Sequence, residues 1–197
     1  MTEADKSDLT AKGMLSDPGD HFTGRFEVER KYKVSNLSSM RKKLVDAGAK
    51  AFMRDNIETD YFYDTADGTL KAAGKQLVLR SMAPSGRTLW FVKGPSAYEC
   101  VSTDLPDFSA AQQLLASLGY VEVDRLIKER DLYFLGAFHL TLDTIKPFGS
   151  FVEVAVMTDD ADALKNWSIK VEALAEKLGL SADMLITQSY REMMVAR

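Results

Sequence analysis

Phe26-Glu27-Val28-Glu29-Arg30-Lys31-Tyr32-Lys33-Val34 reads as a strand with two unlike faces. Alternate side chains of an extended chain point to opposite sides. Glu27, Glu29, Lys31 and Lys33 therefore share one face, and Phe26, Val28, Arg30, Tyr32 and Val34 share the other. The first face is charged throughout: two carboxylates, then two amines. Carboxylates two residues apart can hold a hard divalent cation, and amines further along can hold phosphate oxygens. The competing reading is a solvated outer face with cross-strand ion pairs. What decides between them is whether other strands carry matching charge.

Working outward, Ser35 and Asn36 are helix caps. Leu37, Met40, Leu44 and Val45 then recur at helical spacing up to Gly48. Strands are expected at 58–64, 76–82 and 87–93, with 98–104 pairing back. Asp107 or Ser109 caps a helix carrying Leu114, Leu115 and Leu118. Strands follow at 126–134, 138–144 and 150–157. Asp159-Asp160 opens a longer helix with Leu164, Trp167, Val171, Leu174 and Leu178 on one stripe, and Ser181 caps a last helical region. Strands joined without a helix after each one predict an antiparallel α+β design. An internal echo relates two halves. Arg54 and Asp60-Tyr61-Phe62-Tyr63 stand after Gly48 as Arg125 and Asp131-Leu132-Tyr133-Phe134 stand after Gly119. Two facing halves with helices outside would close a barrel or tunnel.

The 197 residues fit one domain. Residues 1–20 lack periodicity, so 1–22 read as a flexible N-terminal tail and 23–197 as a single domain. Net charge is -4, which argues against bulk nucleic-acid binding. The single cysteine, Cys100, suits a reducing compartment. With no apolar run of spanning length and a polar, acidic start, no membrane partner is expected and a cytoplasmic place is.

Other strands do carry matching charge. Arg80, Lys93, Lys128 with Arg130, Thr141 with Asp143, and Glu153 each alternate with apolar neighbours. If the apolar faces pack under helices, the charged faces meet in the middle. Unpaired charge there is costly. The inventory suits a polyphosphate held by Lys31, Lys33, Arg80, Lys93, Lys128 and Arg130, with Mg²⁺ or Mn²⁺ bridging Glu27, Glu29, Asp143 and Glu153 to it. Mutual neutralisation in ion pairs across the barrel is the alternative. No glycine-rich phosphate loop is present. His139 and His21 lack ligand-like spacing and read as structural, Cys100 reads as a packed thiol, and Tyr190-Arg191 stands where it could cover one tunnel mouth.

Glu27-x-Glu29-x-Lys31, Lys93-Gly94-Pro95, Lys128-x-Arg130 and Leu142-Asp143 with Gly149-x-Phe151-Val152-Glu153 together resemble the CYTH superfamily of triphosphate tunnel metalloenzymes. The bacterial class IV adenylyl cyclase branch looks most similar. The resemblance implies an eight-stranded antiparallel tunnel with helices packed outside. It implies conversion of ATP to cyclic AMP and pyrophosphate, the ribose 3′-hydroxyl attacking the α-phosphate. Glu27, Glu29 and Glu153 would serve the metal. Lys31, Lys93, Lys128 and Arg130 would be the catalytic cations, with Lys33, Arg80 and Asp143 binding substrate. A homodimer fits the same analogy. Ala155 stands where a second glutamate is usual and Met82 where an arginine is usual. Cys100, Ser102 and Asp104 replace the Arg/Glu/Glu strand after Lys-Gly-Pro. These departures keep two alternatives open: a metal-dependent triphosphatase, and a triphosphate-binding protein without catalysis.

Overall fold

The computed structural model describes residues 21–195. The tail expected at 1–20 lies outside them; His21 is buried and Phe22 half-buried. The charged stretch forms β1 (Phe26–Val34). The Asn36 side chain then accepts from the Ser39 backbone N–H at 2.9 Å and starts α1 (Leu37–Asp46). The chain continues through β2 (Lys50–Thr65), α2 (Thr69–Ala72), β3 (Gln76–Ala83), β4 (Thr88–Lys93) and β5 (Cys100–Leu105). The second half holds α3 (Phe108–Ser117), β6 (Tyr120–Leu135), β7 (Phe138–Ile145), β8 (Gly149–Thr158) and α4 (Leu164–Lys177). A 3₁₀ turn (Ala182–Met184), β9 (Leu185–Ile186) and α5 (Tyr190–Val195) complete it.

The strands form one antiparallel sheet in the order β5-β4-β3-β2-β6-β7-β8-β1-β9. It curls until its ends approach. Glu27 donates its backbone N–H to the Tyr98 carbonyl at 2.7 Å, and Cys100 donates to the Arg25 carbonyl at 3.0 Å. These two bonds stitch the start of β5 to the start of β1. The result is an α+β fold with a strongly curled antiparallel sheet and helices outside. Nine strands are present where eight were expected; the ninth is a two-residue strand pairing with Lys31 and Tyr32.

The two halves meet at the long β2–β6 pair, with β3 and β7 on either side. The echo holds for elements but not for side chains. Register shifts interrupt this pair between Ala51 and Met53, between Met53 and Asn56, and between Phe62 and Tyr63, and equivalent positions fall out of phase. Asp60 faces the interior, whereas Asp131 accepts from Arg41 of α1 at 2.6 and 2.9 Å.

The outer face of the sheet is covered as its alternation requires. Val28, Tyr32, Val154 and Val156 pack beneath Met40 and Leu44 of α1, Val171 and Ala175 of α4, and Leu178 just after it. Ala111 and Leu115 of α3 cover Tyr63, Leu77 and Leu79. Three expectations are corrected. Val45, Leu114 and Leu118 are exposed, because each helix buries a stripe narrower than its apolar content. The long helix begins at Leu164 rather than Asp159. Asp160 instead accepts from the N–H groups of Asp162 and Ala163, closing a bend before the first turn. The last helical region is split, because 185–186 pair as a strand.

Gly94 fixes where Lys93 ends. It has φ +87°, and a Cβ there would lie 2.1 Å from the Gly74 carbonyl oxygen. Backbone cannot yield as a side chain does, so Gly94→Ala combines left-handed strain with a direct clash. We expect a loss of more than about 2 kcal/mol, read from the urea midpoint. A loss within about 0.5 kcal/mol would contradict the tight approach.

Candidate active site in the tunnel

The charged faces do meet inside the curled sheet. The register sets opposite charges directly across from one another: Glu58 faces Lys128, Asp60 faces Arg80, Arg130 faces Asp143, and Lys31 faces Glu153. Lys128 Nζ lies 2.8 Å from Asp60 Oδ2 and 3.2 Å from Glu58 Oε2. Arg80 reaches Glu58 at 3.1 Å and Asp60 Oδ2 at 2.9 Å. Arg130 grips Asp143 through two nitrogens and also reaches Glu153 Oε2 at 2.7 Å. Thr141 donates to the same Glu153 oxygen at 3.2 Å.

A second cluster lies at the start of β1. Lys93 Nζ is 2.6 Å from Glu27 Oε2 and 3.6 Å from Glu29 Oε2. Glu27 also faces His139 Nε2 at 3.4 Å. Lys31 has no ion pair within 4.0 Å among the described residues; its ammonium sits 4.1 Å from the centre of the Tyr190 ring. Tyr190 Oη donates to Asp143 Oδ2 at 2.8 Å, and Arg191 pairs with Asp124 at 2.8 Å. Tyr190 and Arg191 thus line the same cavity as the central cations, together with Phe62, Leu89, Phe91 and Leu126.

Most of the residues singled out from sequence are brought together: Glu29, Lys31, Arg80, Lys93, Lys128, Arg130 and Glu153 line one cavity, with Glu27 and Asp143 behind them. Lys33 is not among them. It is exposed and borders a separate groove with Asn36 and Asp183. Sequence reasoning missed Glu58 and Asp60, although Glu58-x-Asp60 repeats the spacing of Glu27-x-Glu29 one long strand later. His139, read from sequence as structural, has its Nε2 3.4 Å from Glu27 Oε1.

Burial would raise every carboxyl here, and the neighbours decide the outcome. Lys93 and His139 bring Glu27 well below the usual range. Arg80, Arg130 and Lys128 lower Glu58, and Arg80 and Lys128 lower Asp60. Arg130 and Lys31 bring Glu153 to about 2. Glu29 and Asp143 go the other way: burial and repulsion from Glu153 exceed what Lys93 and Arg130 return. A carboxyl lowered in the fold stabilises it above the unfolded value, near 4.5, and that contribution is lost as pH falls toward 2. For Glu153 it is on the order of 3 kcal/mol. The raised pair has the opposite sign, favouring the fold when protonated. Four lowered groups outweigh two raised ones, so the thermal midpoint should fall steeply between pH 4.5 and 2. A midpoint that stays flat through that window would refute the ion-pair assignment.

Among the described residues, no three His, Cys, Asp or Glu side chains are already drawn together as around an ion. The donor chemistry nevertheless fits a cation. Glu27 and Glu29 converge on one positive group, and in this structure that group is the Lys93 ammonium.

A curled antiparallel sheet with helices outside and a buried, ion-paired charged interior defines the class of fold. The chain belongs to the CYTH domain family, whose model matches residues 25–190. Adenylate cyclase CyaB of Aeromonas hydrophila is 43% identical over 171 residues, covering 87% of this chain and 90% of that protein. The crystal structure of a candidate adenylate cyclase from Vibrio parahaemolyticus is 39% identical with a TM-score of 0.85, covering 88% of this chain and 99% of that one. An adenylyl cyclase candidate from Hippeastrum, described as having a dominant triphosphatase activity, shares the fold at 15% identity and a TM-score of 0.62, covering 87% of this chain and 95% of that one.

Proposed function

We propose that this chain is a class IV-type adenylyl cyclase converting ATP to cyclic AMP and pyrophosphate. The observation that carries the reading is the convergence of Lys31, Arg80, Lys93, Lys128 and Arg130 on one cavity, in a chain 43% identical to an adenylate cyclase. Five cations on rigid strands can hold triphosphate oxygens without rearranging the backbone. The internal carboxylates stand in for it: Asp60, Glu58 and Asp143 hold the basic heads in the interior until phosphate oxygens replace them. Mg²⁺ or Mn²⁺, held by Glu27 and Glu29 with Glu153 nearby, would neutralise phosphate charge when bound. Fixing the phosphates leaves the ribose 3′-hydroxyl to be aligned against the α-phosphate, and positioning with electrostatic stabilisation supplies most of the rate. The apolar side chains Phe62, Leu89, Phe91 and Leu126 in the same cavity suit the nucleoside end of the substrate.

The test is purified protein with Mg²⁺ or Mn²⁺ and either ATP or tripolyphosphate. Cyclic AMP plus pyrophosphate from ATP is the expected result. Orthophosphate release from tripolyphosphate, without cyclic AMP from ATP, would make the chain a triphosphatase. Binding without turnover of either would leave a triphosphate-binding protein. No helix among the described residues is long and apolar enough to cross a membrane; the lone cysteine supports a cytoplasmic place. A homodimer is part of the reading, since Ile57 and Ile127 lie exposed on the outer β2–β6 face. A monomer mass in sedimentation at micromolar concentration would remove it.

A further inference from the structure

We propose that His139 is a protein ligand of the divalent cation, beside Glu27 and Glu29, and that it biases the site toward Mn²⁺ over Mg²⁺. The proposal rests on the reading of the tunnel as a metal-dependent triphosphate site. His139 of β7 lies directly opposite Ala155 of β8, which lies directly opposite Glu29 of β1. Residues directly opposite in an antiparallel pair share a face. His139 and Glu29 therefore stand on one face, with only the Ala155 methyl at the register position between them.

The spacing suits a shared ion. His139 Nε2 is 3.4 Å from Glu27 Oε1. Two donors bound at about 2.1 Å and at right angles to one ion stand roughly 3 Å apart. The ring also packs against Phe22, with centroids 5.3 Å apart. His139 is 5% exposed, and its Nδ1 is buried without a partner among the described residues. A buried polar atom left unpaired costs about 1–3 kcal/mol, and buried polar groups are normally satisfied.

Lys93 supplies the second observation. Its ammonium lies between the two carboxylates, so the local potential already holds a positive charge there. An arriving triphosphate competes for Lys93. Once drawn to the phosphates, the amine leaves two carboxylates and an imidazole around one vacated position. An imidazole in the donor set favours later first-row ions over Mg²⁺, which prefers oxygen ligands.

The test is pulsed electron paramagnetic resonance on untagged full-length protein with Mn²⁺ and tripolyphosphate. The chain has only two histidines, His21 and His139, so attribution is direct. Nitrogen-14 coupling to Mn²⁺ is expected in the wild type and in His21→Gln, and its loss in His139→Gln. Competition titration should show the Mn²⁺:Mg²⁺ affinity ratio falling about tenfold in His139→Gln. The wild-type spectrum needs no variant to fold. Saturable Mn²⁺ binding that Glu29→Gln removes, but that carries no nitrogen coupling, overturns the His139 assignment and leaves the tunnel reading intact. Coupling that survives in His139→Gln overturns it too. Absence of saturable Mn²⁺ binding overturns both.

Discussion

Glu29→Gln is expected to abolish metal-dependent turnover, by at least about 100-fold, while leaving the protein as stable as before or more so. The metal half follows from chemistry: an amide keeps the shape of the carboxylate but loses the charge a hard cation requires. Changes to groups that merely orient metal ligands cost about 10–100-fold, and a ligand should cost no less. The stability half follows from electrostatics. Burial, Glu153 and Glu27 all push the Glu29 carboxyl upward, and Lys93 and Lys31 only partly answer them. The folded state therefore disfavours charge at this position, and a neutral side chain relieves it. Lys93 keeps Glu27 at 2.6 Å, so no buried amine is stranded. Opposite movements of activity and stability are characteristic of a group retained for function. Turnover assays with Mn²⁺ and a thermal melt check both halves. Unchanged metal-dependent activity would end the assignment of Glu29 as a ligand.

Arg130→Met should be costly on both counts. The guanidinium is 11% exposed and answers Asp143 and Glu153 directly, with Glu58 at 3.7 Å. Methionine keeps much of the volume and none of the charge. Three buried carboxylates would then share the cations that remain. Removing one partner of a buried ion pair costs about 3–5 kcal/mol, because the other charge is left uncompensated. In a chain of this length that is a drop of roughly 10 °C in the thermal midpoint. Glu153 would also lose the largest influence lowering its carboxyl, so less stability would remain to be lost between pH 4.5 and 2. Tripolyphosphate binding should weaken as well, since Arg130 lines the cavity. A urea midpoint within about 1 kcal/mol of wild type would show that the network is not buried as described. Arg130→Lys tests geometry separately: one ammonium cannot grip Asp143 with two nitrogens and reach Glu153 too.

Much of this was legible in the sequence because strand alternation is local. A residue's face is set by its parity, whatever the strand pairs with. The charged face of β1, the Lys128–Arg130 pair of β6 and the single charges of β3, β4, β7 and β8 followed from that rule alone. Gly48, Asp107 and Gly119 marked helix ends for equally local reasons. Errors arose where a non-local partner overruled the pattern. Leu114 and Leu118 satisfy helical spacing, but the sheet offers only enough surface to cover Ala111 and Leu115. Leu185 and Ile186 sit in a helical-looking stretch and were captured by the free edge of β1.

The candidate site divides in the same way. Sequence alone determined which residue types would face inward, and so that the interior would be charged and suited to a polyphosphate and a cation. It could not determine who pairs with whom. Pairing depends on register between strands far apart in sequence, such as β2 with β6, and on the three register shifts along that pair. Only the tertiary structure decided that Glu58 and Asp60 join the site and that Lys33, on the same face of β1 as Glu29, lies outside the cavity. It also decided that Lys93 occupies the space between Glu27 and Glu29, and that His139 looks across Ala155 toward them. The opening stretch admitted both a functional face and an ion-paired face, and the fold holds the two together. The charges of β1 point inward because Val28 and Tyr32 must be covered by α1 and α4, and once enclosed they cannot remain unpaired.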